Sequence, residues 1–274
     1  VGIDSTVLAL SQSGETADVL HGIDYARLRA ATILGVTNVI GSTLTRVSRA
    51  YICQQTGPEI GVAASKTYTG QLMVLAQLAL RLASVRGKVS QDSIDELQEG
   101  VARIPNIVDG IIRNQNARIK EITAKFSQSK CFYFLGRGIN TATALEGRLK
   151  LLEIAYIPSI AYPAGESKHG PISLIEKGFP VVFVCPKDST RKASIGNVME
   201  MKARGASIIA ILDETDDELK ELADDYVQIP TNIPEVLSPI PYVVPLQLLA
   251  YYVAVERGVD PDKPRNLAKS VTVL

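Results

Sequence analysis

Short, almost purely apolar runs alternate with longer segments along this chain. Thr6–Leu10, Cys131–Leu135 and Val181–Cys185 are runs of this kind, and such runs are typical of strands buried on both faces of a parallel sheet. The longer segments carry apolar residues at helical spacing and supply the crossover helices that parallel strands need. The pattern therefore predicts an α/β fold in which parallel sheets are flanked by helices.

Two stretches of the chain share one plan of strand, polar turn, helix and second strand. The first has its strands at Thr6–Leu10 and within Ala31–Ile40, with the polar turn Ser11–Thr16 before the helix. The second has its strands at Val181–Cys185 and within Arg204–Leu212. We interpret the two stretches as an internal repeat, although βαβ units are common enough to recur without duplication.

The second stretch is preceded by a further strand, whereas the first is not. Cys131–Leu135 ends in Gly136-Arg137-Gly138 and leads into a predicted helix from about Thr141 to Ile154. If the two halves are equivalent, roughly 50 residues of the first half lie upstream of Val1 and the chain is a fragment.

These patterns divide the chain into four parts. Residues 1–89 form a first, N-terminally incomplete domain, residues 90–122 a helical connector, residues 123–264 a second domain and residues 265–274 a C-terminal tail. The connector is charged and amphipathic, and Pro105 predicts a break within it. The last helix is predicted from about Pro245 to Arg257.

Charge and composition argue against several classes of partner. The 29 basic and 29 acidic residues are mixed along the chain, so no nucleic-acid surface is predicted. No apolar run approaches the roughly 18 residues of a membrane span, and no signal-peptide pattern opens the chain. Each of the three cysteines lies in or beside an apolar run, which favours reduced thiols in a cytoplasmic protein over disulfides or metal ligands.

The polar turn of the first repeat has the properties of a phosphate site. Parallel sheets bind ligands at the carboxyl ends of their strands, and here Ser11, Ser13 and Thr16 place hydroxyl groups beside a helix N-terminus. The turn contains no Lys or Arg, which favours a sugar phosphate over a nucleoside triphosphate with magnesium. The alternative is that Ser13 or Thr16 only caps the helix.

Candidate acid–base groups share one predicted helix in the second half. Lys150 and Glu153 are three residues apart and lie on one face, and Glu146 is on the same helix. Their apolar neighbours predict partial burial and perturbed proton affinity. An ordinary surface ion pair is the alternative.

Two further residues have catalytic potential. His169 follows a carboxylate and a lysine in the Gly-bracketed segment Ala164–Pro171, where a surface-loop histidine is the alternative. Lys269 has apolar neighbours near the C-terminus, which allows the tail to fold over a site; a solvated lysine is the alternative.

Seven segments together match one family pattern: Ser11–Asp18, Glu59–Ala63, Leu135–Gly138, Ala144–Gly147, Gly165–Pro171, Val244–Tyr251 and Pro264–Val273. They resemble the isomerase part of the glucosamine-6-phosphate synthases, the glutamine:fructose-6-phosphate aminotransferases (isomerizing). The resemblance implies two sugar-isomerase (SIS) domains, each a flavodoxin-like three-layer sandwich. It also implies a glutaminase domain upstream and a homodimer, without a metal or organic cofactor.

The resemblance implies a role for each candidate residue. His169 would open the sugar ring from a neighbouring subunit, and Glu153 would move the proton between C1 and C2. Lys150 would stabilise the enolamine-like intermediate, and Lys269 would form a Schiff base with the sugar carbonyl. The residues implied in binding fructose 6-phosphate and glucosamine 6-phosphate are Ser11, Gln12, Ser13, Thr16, Val62 and the position of Ala64.

The chain departs from the family pattern at several positions. Ala64 stands where a sugar-binding serine is usual, so that contact is lost or is made by Ser65. Leu152 and Ala155 replace a lysine and a serine beside the proposed base, and Leu274 replaces a final glutamate. The Gly-Thr-Ser turn of the family is expected in the upstream half-domain.

Two other functions stay open at this point. One is a SIS-type amino-sugar-phosphate deaminase or isomerase, and the other is a non-catalytic module that binds a sugar phosphate. Lys150, Glu153, His169 and Lys269 argue against the non-catalytic module. The tail Asn266–Val273 favours the synthase over the deaminase.

Overall fold

The computed structural model describes residues 1–273, in which the chain divides into two compact units. The first contains residues 1–79 and the tail from Arg265, and the second contains residues 80–264. The predicted connector, residues 90–122, lies within the second unit. The departure noted at Leu274 lies outside the described residues.

The first unit is built on a three-stranded parallel sheet in the order β1-β2-β3. Its core packs Ile23 and Ala26 of the first helix against Ile33 and Leu44, so the helix is fixed directly behind the polar turn. The elements are β1 (Thr6–Leu10), α1 (Ala17–Arg27), β2 (Thr32–Thr37), α2 (Thr43–Val47), β3 (Ala50–Cys53) and the start of α3 (Lys66–Arg86).

The second unit contains five parallel strands in the order β5-β4-β6-β7-β8. Its elements are α4 (Gln91–Phe126), β4 (Phe132–Gly136), α5 (Asn140–Ala155), β5 (Ser159–Pro163), β6 (Pro180–Cys185), α6 (Arg191–Lys202), β7 (Ser207–Asp213), α7 (Asp217–Leu222), β8 (Asp225–Ile229) and α8 (Pro239–Glu256). Short 3₁₀ turns lie at Ala164–His169, Pro171–Leu174 and Glu235–Leu237.

The sheet of the second unit is covered on both faces. Tyr133 and Phe183 pack in one cluster with Met201 of α6, while Phe132 and Phe134, whose side chains point the opposite way, are equally buried. The strand order reverses once, next to β4, as in flavodoxin-like folds. The predicted α/β fold with parallel sheets and flanking helices is therefore confirmed.

The repeat extends further than the sequence pattern indicates. The order β1-α1-β2-α2-β3-α3 in the first half matches β6-α6-β7-α7-β8-α8 in the second. In both halves the polar turn that follows the leading strand opens a helix. The second unit also has β4 and β5 beyond β6, whereas β1 is an edge strand among the described residues.

Two helices differ from their predicted extents because packing overrides proline. α4 continues through Pro105, so the predicted break is wrong. A proline inside a helix costs about 3 kcal/mol, but Ile104 and Ile111 on either side are almost fully buried, which offsets that cost. α8 begins at Pro239 and not near Pro245, since proline is tolerated in the first turn of a helix.

α8 is apolar along most of its length. Residues Glu235–Glu256 are long and apolar enough to cross a membrane by length and composition, but 72% of this window is buried within the unit. Such burial is typical of the core helix of a globular domain.

Candidate active site

The polar turn Ser11–Thr16 folds back on itself between β1 and α1. Ser11 Oγ accepts a hydrogen bond from Gly14 N at 3.0 Å and lies 3.0 Å from Thr16 Oγ1. Ser13 Oγ accepts from Glu15 N at 3.1 Å. Thr16 is at the N-cap position of α1 but its side chain makes no capping bond. Simple capping therefore does not explain the hydroxyl group of Thr16.

Gly14 allows this turn to pack against the loop after β2. Its φ of 68° lies in the left-handed region, and an added Cβ would collide with Ser42 Oγ. Glu15 Oε1 accepts a hydrogen bond from Thr43 N at 2.6 Å, which lowers the pKa of Glu15. The turn is thus attached to the next loop of the same sheet edge, with its hydroxyl groups grouped around the α1 N-terminus.

The C-terminal tail lies across this turn. Ala17 N, in the first turn of α1, donates to Val271 O at 3.0 Å, and Ser270 Oγ is 3.1 Å from Ser13 Oγ. The tail therefore brings Lys269 to the same part of the first unit as the polar turn.

Lys269 is held by three oxygen atoms. Its Nζ donates to Glu59 Oε2 at 3.0 Å and to Gly61 O at 2.8 Å, and it lies 3.5 Å from Val62 O. Val62, which the family resemblance implied in sugar binding, therefore lies beside the lysine amine. The backbone of Gln12 connects the polar turn to the loop after β2, since Gln12 O accepts a hydrogen bond from Asn38 N at 3.0 Å.

Glu59 is a residue whose role sequence reasoning missed. Its side chain is only 5% exposed, and it accepts hydrogen bonds from Thr67 Oγ1 and from Ser65 N at 2.8 Å. Burial would raise the pKa of Glu59, but the hydrogen bonds from Thr67, Ser65 and Lys269 outweigh it and lower the pKa to about 2. Ser65 Oγ also donates to Glu59 at 2.9 Å, so this hydroxyl is engaged here, next to the half-buried Ala64.

The second unit contains the predicted acid–base helix. On α5, Lys150 Nζ lies 2.6 Å from Glu153 Oε2 and 3.3 Å from Glu146 Oε1. The lysine side chain is 5% exposed, against 11% for Glu146 and 21% for Glu153. This is a buried charge cluster instead of the surface ion pair that the spacing alone left open.

The cluster is held by charge more than by directed hydrogen bonds. Neither Glu146 Oε1 nor Glu153 Oε2 has a partner in hydrogen-bond geometry, although both lie close to Lys150. Burial raises the pKa of Glu146, and the nearby Lys150 only partly offsets this effect. Glu153 is the more accessible carboxylate, and Glu146, whose part was not assigned from the sequence, is the more buried one.

His169 is the last residue of a short 3₁₀ turn, Ala164–His169, and not part of an irregular loop. Its side chain is exposed. Ser167 Oγ donates to Ala164 O within the turn, and Tyr133 OH donates to Pro171 O at 2.9 Å. The segment is therefore attached to the sheet while its histidine faces solvent.

The predicted site residues fall into two groups. Ser11, Gln12, Ser13, Thr16, Val62, Ala64 and Lys269 lie in the first unit, and Lys150, Glu153 and His169 lie in the second. Within residues 1–273, no three His, Cys, Asp or Glu side chains come together as a candidate metal site.

The family model for the SIS domain matches residues 1–81 and 125–257. Two curated relatives are similar along almost the whole chain. The chain is 48% identical over 267 residues to the glutamine–fructose-6-phosphate aminotransferase (isomerizing) of Thermococcus kodakarensis, and 45% identical over 269 residues to that of Pyrococcus horikoshii. These matches cover 97% and 98% of this chain but 44% of each relative.

A solved structure gives the same result. The C-terminal domain of glucosamine-fructose-6-phosphate aminotransferase from Francisella tularensis has a TM-score of 0.91 and 35% sequence identity, and the match covers 96% of this chain and 75% of that one. A glucosamine-6-phosphate deaminase from Thermotoga maritima, with a TM-score of 0.75 and 23% identity, shares the fold alone. The chain belongs to the SIS domain family, and within it to the isomerase domains of the glutamine–fructose-6-phosphate aminotransferases (isomerizing).

Proposed function

We propose that this chain is the part of an aminotransferase that converts fructose 6-phosphate and ammonia to glucosamine 6-phosphate. The observation that carries the proposal is the buried Lys150 between Glu146 and Glu153, in a chain 48% identical to an aminotransferase of that name. A module that only bound a sugar phosphate would have no use for buried charges, which are costly to place in a core.

The reaction divides between the two groups of residues. Ser11, Ser13 and Thr16 and the α1 N-terminus bind the phosphate of fructose 6-phosphate. The amine of Lys269 adds to the sugar carbonyl with loss of water, and ammonia then replaces the lysine. Glu153 removes a proton from C1 and returns it at C2, which converts the ketose imine into the aldose amine.

Lys150 and His169 complete the proposed chemistry. Lys150 stabilises the charge that develops on the enolamine while the proton is on Glu153. His169 donates and accepts the protons of ring opening, a role for which an exposed imidazole is suited. The reaction needs no metal or organic cofactor.

Three further proposals concern the ammonia source, the pathway and the cellular compartment. Since the chain spans 44% of the length of its curated relatives, we place a glutaminase domain in the rest of the protein as the ammonia source. The product would enter amino-sugar biosynthesis towards UDP-N-acetylglucosamine in the cytoplasm.

The function is tested by supplying the intact protein with fructose 6-phosphate and ammonium and following glucosamine 6-phosphate by mass spectrometry.

Ser13→Ala with Thr16→Ala is expected to weaken fructose 6-phosphate binding by about 1–3 kcal/mol, the cost of lost hydrogen bonds to a charged group. Calorimetry measures this loss. Ser173→Ala, whose exposed serine lies in the second unit, is the control and should bind normally.

Unchanged affinity in the double variant would contradict the phosphate role and leave the turn as a structural element. Release of ammonia from glucosamine 6-phosphate, without net synthesis from fructose 6-phosphate, would favour the deaminase. Binding without either reaction would favour the non-catalytic module.

The proposed assembly is a homodimer in which His169 serves the neighbouring subunit. The exposure of His169, and its lack of a hydrogen bond to Lys150 or Glu153 within residues 1–273, support this arrangement. Mixing an inactive His169→Ala chain with an inactive Glu153→Gln chain is then expected to restore partial activity, because one hybrid site keeps both groups.

Subunit exchange is verified by tagging one of the two chains and isolating the mixed dimer. A mixed dimer without activity would show that each chain supplies its own histidine. Mixing two His169→Ala chains gives the background for the measurement.

A further inference from the structure

Glu59 has no assigned part in the proposed reaction, yet it is among the most tightly bonded side chains of the first unit. Its Oε1 accepts from Ser65 N and from Ser65 Oγ. Its Oε2 accepts from Thr67 Oγ1 and from Lys269 Nζ. Oε1 therefore serves only the start of α3, where it also accepts from Thr67 N, while Oε2 also reaches the C-terminal tail.

We propose that Glu59 is a positioning residue that holds the amine of Lys269 where the Schiff base forms. The inference rests on the role of Lys269 in the proposed function. Within residues 1–273, Glu59 provides the one side-chain contact of the Lys269 ammonium group, and the other contacts come from the carbonyl groups of Gly61 and Val62.

A lysine side chain needs such an anchor because it is long and flexible. The tail is attached to the polar turn through residues 270 and 271, which fixes the backbone next to Lys269 but not its four-carbon side chain. Holding a nucleophile in one geometry is a large part of catalysis, and a displacement of about 1 Å can cost roughly 100-fold in rate.

Glu59 acts as a fixed negative charge and not as a base. Hydrogen bonds from Thr67 and Ser65 help to keep its pKa near 2 despite burial, so the carboxylate does not take up a proton near neutral pH. Lys66 is the basic residue of the stretch from Gln54 to Thr67, and its ammonium group lies beside Gly57. Glu59 is thus committed to orienting the lysine. The amine adds to the carbonyl after the ammonium group has lost a proton to solvent, and its remaining N–H groups can still donate to Glu59.

Glu59→Gln separates the two tasks of this side chain. The amide oxygen of Gln can still accept from Ser65, and the amide nitrogen can donate to Thr67 Oγ1, so the start of α3 keeps its bonds. The same nitrogen cannot accept from Lys269. Thr67→Val is the matched control, because it removes a bond to Glu59 but leaves the carboxylate facing the lysine.

The experiment uses the intact protein with fructose 6-phosphate and sodium borohydride, which reduces a lysine–sugar imine to a stable secondary amine. The adduct at Lys269 is quantified by peptide mass spectrometry. Glu59→Gln is expected to slow adduct formation and kcat by about 10- to 100-fold. The affinity for fructose 6-phosphate should stay within about 2-fold, since Glu59 bonds to Ser65, Thr67 and Lys269 and not to the hydroxyl groups proposed to bind the phosphate. Glu59→Asp, which keeps the charge on a shorter side chain, should lie between.

The outcomes separate this inference from the function on which it rests. A wild-type protein that forms no adduct overturns the proposed role of Lys269 and this inference with it. A wild-type adduct together with normal trapping in Glu59→Gln overturns the inference alone. Equal losses of trapping, fructose 6-phosphate affinity and thermal stability in Glu59→Gln would show a structural role and also overturn it.

Discussion

Glu153→Gln in the intact protein is expected to bind fructose 6-phosphate normally but to lose proton transfer between C1 and C2 by at least ~100-fold, the usual scale for a lost general base. Glu153 is the more exposed carboxylate of the α5 cluster, whereas its partner Lys150 is buried between two acids. Exchange of solvent deuterium into the C1 and C2 positions, followed by NMR, measures the loss directly.

Glu146→Gln is the matched control for this prediction. It removes a carboxylate of the same helix face and the same ion-pair cluster, but one that is more buried. We expect a smaller loss of exchange from Glu146→Gln than from Glu153→Gln. Wild-type exchange in Glu153→Gln would remove this residue from the mechanism and direct attention to His169.

Segments whose own residues determine their structure were predicted correctly, and segments whose structure depends on distant contacts were not. The long apolar runs at Phe132–Gly136, Pro180–Cys185 and Ser207–Asp213 were predicted as strands to within a few residues, because full burial leaves little choice of residue type. The short strands β5 and β8 were not predicted. Five residues of mixed polarity become strands only because a neighbouring strand offers the hydrogen bonds.

The site residues show the same contrast. Residues that local spacing brings together were found, and residues that only the fold brings together were not. The Lys150–Glu153 pair was found because both residues lie on one turn of one helix, where spacing fixes proximity. Glu59 was not assigned a role, because its partner Lys269 is 210 residues away in sequence, and no local pattern links the two. The segment Glu59–Ala63 matched the family pattern, but that match assigned no role to Glu59.

The break that Pro105 predicted in α4 fails for a related reason. Proline disfavours a helix locally, but α4 packs against α8, and Ile104 and Ile111 on either side of the proline are buried. A local rule was overridden by contacts with a helix that begins more than 100 residues later, at Pro239.

Lys150→Met is expected to lower the free energy of unfolding of the second unit by about 3–5 kcal/mol, the scale for removing one partner of a buried ion pair. Methionine fills a similar volume, so the loss comes from charge: two buried carboxylates are left without their cation. Denaturant unfolding followed by the fluorescence of the buried tyrosines, such as Tyr133 and Tyr242, measures it.

The pH dependence of this variant provides a second, independent test. Burial already raises the pKa of Glu146 with Lys150 in place. A carboxyl group whose pKa is raised on folding contributes stability below its unfolded pKa and loses it as the pH rises through the folded value. The deficit of Lys150→Met should therefore be larger at about pH 7 than at about pH 5.

Adding Glu146→Gln and Glu153→Gln to Lys150→Met should recover much of the lost stability, because neutral side chains avoid the cost of unpaired buried charge. The triple variant stays inactive, so stability and proton transfer are measured separately in one series. A loss below about 1 kcal/mol in Lys150→Met, which is the range of exposed ion pairs, would contradict the buried cluster.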